Sequence, residues 1–269
     1  MNGITDINLW SLLLGYIIMV IPIFYMGYYR TGLIKETFVA LLRMSVQLFL
    51  VAIYLGYIFQ WNNALLNSAW VVIMAGIGAF TTTKRSGLKL KYFFLPVCLS
   101  TLISLLVINA FFLDIIIGLD NVFDAQYLIP ISGMILGNAM NYNIVGLNTY
   151  FDQLVKNENL YYFILINKNS KKAALEPFLR EAIKKAFNPL IATISVTGLI
   201  ALPGMMTGQI LSGSSPMTAI KYQILIMLAI FAGCSLNLIF SILFSNRFAF
   251  DKYDNLRKEI LKEKISLNK

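Results

Sequence analysis

The residues with most chemistry to offer in this chain are amides lodged inside apolar runs. The run LIPISGMILGNAMNYNIVGLNTY (128–150) carries Asn138, Asn141, Asn143 and Asn148, together with Pro130 and the pair Gly133 and Gly137 at GxxxG spacing. An amide facing lipid leaves its donors and acceptors unpaired, so this cluster must face protein or a water-filled path. The run GLIALPGMMTGQILSG (198–213) contains Pro203, Gly204, Gly208 and Gln209, a helix breaker followed by a second close-packing pair. Arg43 and Gln47 stand four residues apart in a third run. Arg43 either snorkels to headgroups or points inward to pair with Glu36 or a ligand. Met134, Met140, Met205 and Met206 could serve as soft metal ligands, although methionine equally fills irregular gaps between helices.

Other chemistries are excluded by composition. There is no histidine, which removes imidazole bases, HExxH sites and histidine ligation of metals. No GxxxxGK[ST] motif or Gly-rich phosphate loop is present, so no nucleotide site is expected in this chain. Paired carboxylates within an apolar run, the mark of proton-coupled transport, are missing; Glu36 and Asp114 lie at run edges. Cys98 and Cys234 both fall in apolar runs and read as small buried hydrophobes rather than a disulfide.

These residues must be positioned by membrane-spanning helices. The chain is 58% hydrophobic, 13% charged and has a mean hydropathy of +0.71 over 269 residues, far from soluble averages. A hydrocarbon core of about 30 Å takes about 20 helical residues. Expected spans are about 9–28, 37–59, 64–83, 92–113, 125–151, 189–212 and 217–246, seven in all. The run 186–220 is too long for one crossing, so the turn Gly213-Ser-Ser-Pro216 should precede the last helix. Lys and Arg collect in 30–43, 84–91, 156–185 and 247–269, whereas 1–8, 60–68, 114–124 and 213–216 have none and carry Asp6, Asp114, Asp120 and Asp124. Lys221 is the exception, just inside the last span. The distribution places the N-terminus outside and the C-terminus in the cytoplasm. The net charge of +9 is therefore topological, with contact to anionic lipid as a consequence and no nucleic-acid partner implied. The first eight residues lack the positive charge of a cleavable signal, so the first span is expected to stay.

Between the fifth and sixth spans lies the one sizeable soluble feature, a cytoplasmic segment over 152–188. Within it, SKKAALEPFLREAIKKAF (170–187) places Ala174, Leu175, Phe178, Leu179, Ala182, Ile183, Ala186 and Phe187 on one helical face. Glu176/Arg180 and Glu181/Lys185 are spaced for i, i+4 pairs on the other, and Ser170 is placed to cap. Pro177 should kink or restart the helix. Such a helix either lies on the membrane surface or docks a cytoplasmic partner.

Several of these blocks resemble the FetB-type family of ABC transporter permeases, also catalogued as an uncharacterised protein family. They are Pro130-Ile-Ser-Gly-Met134, Gly137-Asn-Ala-Met140, Leu202-Pro-Gly-Met-Met-Thr-Gly208, Ala219-Ile-Lys-Tyr-Gln-Ile224, and Arg43 with Gln47. The resemblance implies an all-α membrane subunit in the plasma (inner) membrane, paired as a homodimer with two copies of a separate cytoplasmic ATPase. The partner would hold ATP and Mg2+, and this chain would carry no cofactor and perform no hydrolysis. Bacterial members are associated with iron export and plant relatives with aluminium tolerance. By the same resemblance, Phe178, Leu179, Arg180, Glu181, Ile183, Lys184 and Phe187 would couple to the ATPase. Here Lys168-Asn-Ser-Lys171 stands where the family commonly has a Gly-Ala-Thr/Ser-Pro turn. Arg43, Gln47, Met134, Gly137, Asn138, Asn141, Pro203, Gly204, Met205, Met206, Gly208 and Lys221 are the candidates for path or gate. The competing reading is a secondary carrier or membrane scaffold with no ATPase; a sodium site of carbonyls and amides would fit it.

Overall fold

The computed structural model describes residues 7–257; Asp6 and the basic residues of the tail beyond Arg257 lie outside them. Among the described residues the fold is all-α. The helices are α1 (Leu9–Tyr28, tightened to a 3-10 turn at Tyr16–Met19), α2 (Ile34–Trp61) and α3 (Ala64–Arg85). They continue with α4 (Leu90–Ile116, π-helical from Ala110), α5 (Ala125–Lys156), α6 (Glu158–Lys168), α7 (Lys171–Val196), α8 (Gly204–Leu211) and α9 (Pro216–Ala249). Caps follow the sequence: Asn63, Asp124, Ser170 and Ser215 each accept a backbone N–H at a helix start, and Pro216 occupies the first turn of α9.

Among the described residues five helices are long and apolar enough to cross a membrane, namely α1, α2, α3, α4 and α9. Helix α5, with 32 residues, reaches about 48 Å at 1.5 Å per residue, and its amides set it apart from those five. The sixth expected crossing, 189–212, is not one helix. Helix α7 ends at Val196, Thr197–Pro203 are non-helical, and α8 has only 8 residues. Gly198 takes φ +88°, a left-handed conformation open to glycine, and its N–H donates to Ala201 O at 2.9 Å. Pro203 then restarts the chain with ψ 142° and caps α8. The expected boundary at residue 188 is absent too, because α7 runs unbroken through Pro177 and Pro189.

The core is a bundle of α3, α4, α5 and α9, with α7 laid along α5. Polar groups in it are hydrogen-bonded across helices: Asn109 Nδ2 donates to Ser132 Oγ at 2.8 Å, and Thr101, Asn237 and Ser241 form a linked set between α4 and α9. The close approaches of α5 and α9 occur at glycines. A Cβ on Gly146 would stand 2.5 Å from Leu238 Cδ1, and one on Gly233 2.8 Å from Ile135 Cγ2.

Helices α1 and α2 stand outside this bundle. No residue of α1 is buried and only Ile58 of α2 is. The pair is held together by the Tyr16 hydroxyl on Ser45 Oγ and by Thr37 Oγ1 on Met26 Sδ.

Candidate functional site

The amides of α5 divide between its two faces. Asn143 is buried, and no hydrogen bond reaches its Oδ1. Asn138 is half-buried and turns Nδ2 back to Met134 O at 2.8 Å. Asn141 and Asn148 are exposed with Gly137; Asn148 reaches Ser86 O at 3.3 Å, whereas Asn141 has no hydrogen-bond partner among the described residues. Of the amides expected to meet protein or water, Asn143 is thus covered by protein, while the face of Gly137, Asn141 and Asn148 is left uncovered by the described residues. Of the first GxxxG pair, a Cβ on Gly133 would stand 3.3 Å from Met74 Cε and one on Gly137 would meet nothing within 4 Å.

Arg43 and Gln47 lie on exposed α2 surface. Neither has a hydrogen-bond or ion-pair partner among the described residues, so of the two readings of Arg43 the pairing with Glu36 is not formed. Lys221 is exposed one turn into α9. Pro203 ends the break, Met205 and Met206 are half-buried in α8, and Met205 packs against the core. Gly204 and Gly208 each face open space, so the expected close contact at this pair does not occur within the chain. The candidates thus fall on four helices, α2, α5, α8 and, for Lys221, α9, and among the described residues no hydrogen bond or ion pair joins candidates on different helices. Among the described residues no group of three or more His, Cys, Asp and Glu side chains is placed to hold a metal ion.

At the other proposed site the apolar face of α7 is spent on the chain's own core. Ala174, Phe178, Ala182, Ala186 and Phe187 are buried, and the rings of Phe187 and Phe231 sit 5.8 Å apart. The helix therefore does not lay this face on the membrane. Leu179 and Ile183 are half-buried, leaving Arg180, Glu181 and Lys184 exposed for contact. Arg180 pairs with Glu176 at 3.0 Å, as its spacing predicts, but Glu181 meets Lys184 at 3.7 Å rather than Lys185. A groove of about 360 Å³ opens beside them, floored by Ile164, Ala173 and Pro177 and flanked by Lys168 and Glu176.

Two further constructions have little trace in the sequence. A turn after α9 locks the start of α7: Lys171 Nζ binds Asp254 Oδ1 at 2.6 Å and lies 4.2 Å from the Phe250 ring centre. The Tyr161 hydroxyl donates to Asp254 O at 2.9 Å. Burial, reinforced by Asp254, pushes the Tyr161 phenol well up, so it remains a donor. Asp251 accepts from Tyr253 N and Asn255 N at 2.8 Å each, and the Asn255 N–H leads in holding its carboxyl below the usual range. At the opposite end, left-handed Asn62 (φ 38°) closes α2 and accepts from Ala125 N at 2.9 Å and Asn67 Nδ2 at 3.1 Å. Asn67 also donates to Phe123 O at 2.8 Å. Ile58, Ala125 and Ile129 pack beside this joint, where α2 fastens to the bundle. The consecutive Asn62-Asn63 between two apolar runs was the available signal.

The profile of an uncharacterised protein family, UPF0014, matches residues 9–250. The UPF0014 membrane protein YjkA of Bacillus subtilis (strain 168) is 29% identical over 227 residues, 84% of this chain and 89% of that protein. The Escherichia coli (strain K12) protein described as "probable iron export permease protein FetB" is 30% identical over 257 residues, covering 93% and 94%. Protein ALUMINUM SENSITIVE 3 of Arabidopsis thaliana is 28% identical over 199 residues, covering 69% and 66%. No solved structure matches the chain.

Proposed function

The chain belongs to the UPF0014 family of multi-pass membrane proteins, and on that premise we propose that it is the membrane subunit of an ATP-driven ABC exporter, with iron as cargo. A relative described as an iron export permease aligns over nearly the whole chain. The observation that carries the mechanism is the continuity of α7. It starts at Lys171, carries the exposed Arg180, Glu181 and Lys184 at its middle, and runs without a break to Val196, where Thr197–Pro203 begin. A displacement applied by a cytoplasmic ATPase to the charged face of α7 would travel as a rigid-body movement to the break and to α8. Hydrolysis, with ATP and Mg2+, belongs to the partner. An ABC assembly needs two membrane halves, so two copies of this chain would stand on two ATPases in the plasma membrane.

The test is reconstitution in nanodiscs with a small ATPase encoded beside the gene. Co-purification and stimulated ATP hydrolysis are expected; a chain that neither binds nor stimulates it is a carrier or scaffold instead. Gly204→Leu places its side chain in open space and should spare folding and ATPase binding while reducing transport. For the cargo, cells lacking the gene should accumulate iron under load, and unchanged iron content removes iron from the reading.

A further inference from the structure

Asn141 lies at the midpoint of α5 and Gln47 at the midpoint of α2. Centred in the membrane, the two amides share one depth, both are exposed, and neither finds a hydrogen-bond partner among the described residues. Arg43 lies one turn away from Gln47 on the same face. Lipid offers none of these groups a hydrogen bond, and an ionisable residue at depth belongs against protein or water. The chain does not close them on each other. Helix α2 fastens to α5 at the far end only, through Ile58, Ala125 and Ile129 and the Asn62 joint.

We propose that a second copy of this chain covers both surfaces at once. In a two-fold pair, the α2 face of one copy lies along the α5 face of the other. Each copy leaves uncovered the polar surface that its partner lacks a neighbour for, which is the self-complementarity an isologous contact requires. Gln47 and Arg43 of one protomer then oppose Gly137 and Asn141 of its partner across a water-filled path, twice related by the axis. The bare flanks of α1 and α2 are the apolar part of the same contact. The path is incomplete in one copy, and residues from both build it. This rests on the two-copy permease reading above and adds where the second copy sits.

Cysteine cross-linking in native membranes tests it. In a Cys98→Ser, Cys234→Ser chain, Gln47→Cys is co-expressed with a differently tagged Asn141→Cys or Gly137→Cys chain and treated with a short bis-maleimide. The Gly137 position tolerates the change, because a Cβ there meets nothing within 4 Å. A dimer carrying both tags is expected, and none from Leu106→Cys, whose side chain is 71% exposed on the lipid side of α4. Gly137→Cys should also react with a charged thiol reagent on the order of tenfold faster than Leu106→Cys, since the thiolate forms where water reaches it. The proposal is overturned if folded chains give no mixed dimer or if Leu106→Cys dimerises equally. It is also overturned if Gln47→Cys and Asn141→Cys in one chain link within that chain alone. The cross-link is read in cells without the ATPase. A lost ATPase response with an intact dimer would sink the permease reading instead.

Discussion

Four glycines separate what a motif announces from what a structure uses. Gly204 and Gly208 have the spacing of a close-packing pair and face open space; Gly146 and Gly233 have no such partner and receive Leu238 and Ile135 within 3 Å of a notional Cβ. Gly146→Val should therefore cost about 1–3 kcal/mol through overpacking, because Leu238 is itself fully buried. Gly208→Ala in α8 should leave stability unchanged or raise it by up to about 1 kcal/mol. Melting of the detergent-solubilised variants distinguishes the two. Spacing was legible here and the direction each glycine faces was not, since facing depends on which helices become neighbours. The amides behaved similarly. That Asn138–Asn148 avoid lipid follows from residue type alone, but which of them the chain buries, Asn143, and which it leaves bare, Asn141, required the packed bundle.

Helix α7 shows the same limit at the level of an element. Its amphipathic period, its Ser170 cap and the Glu176–Arg180 pair follow directly from sequence. Its length does not, because Pro177 predicts a kink or restart and the sixth span is expected to begin at 189. Pro177 and Pro189 instead sit in a continuous helix; flanking packing of Ala174, Phe178 and Leu190 holds the backbone through both. The burial of its apolar face divides the expected coupling residues by consequence. Phe178→Ala should lose about 3–5 kcal/mol as a core truncation and reduce the amount of folded chain in the membrane. Arg180→Ala with Glu181→Ala should leave the melting temperature within a degree or two, since exposed pairs contribute about 1 kcal/mol or less, and weaken ATPase co-purification. The turn that locks α7 has its own acid dependence. The Asp251 carboxyl is held below its ordinary range, so its contribution is complete above the unfolded pKa of about 3.9 and fades as pH falls through the lower folded value. Amide exchange at Tyr253 and Asn255 should stay slow down to about pH 4 and accelerate below it.

Across the whole molecule, an all-α membrane protein was readable from composition; five of the seven expected spans coincide with helices long and apolar enough to cross, whereas 125–151 falls in the amide-bearing α5 and 189–212 contains the break. What could not be read was the division into a packed bundle and a hairpin fastened at one end. Both halves are equally apolar, and hydropathy does not distinguish a neighbour helix from lipid. The bundle has a further property in its order along the chain. Helix α9, the last of the described helices, supplies the partner surface for α4 and α5, and the Thr101–Asn237 link spans 136 positions. A chain stopped at Gly213 should insert yet be rapidly degraded, and separate expression of 214–269 beside it should restore a folded complex, read by protease resistance and co-purification. During synthesis the early helices must therefore wait in the bilayer with their hydroxyls and glycine seams unfilled. The core can close only once α9 has been made, which puts the decisive packing step after the early helices have already entered the bilayer.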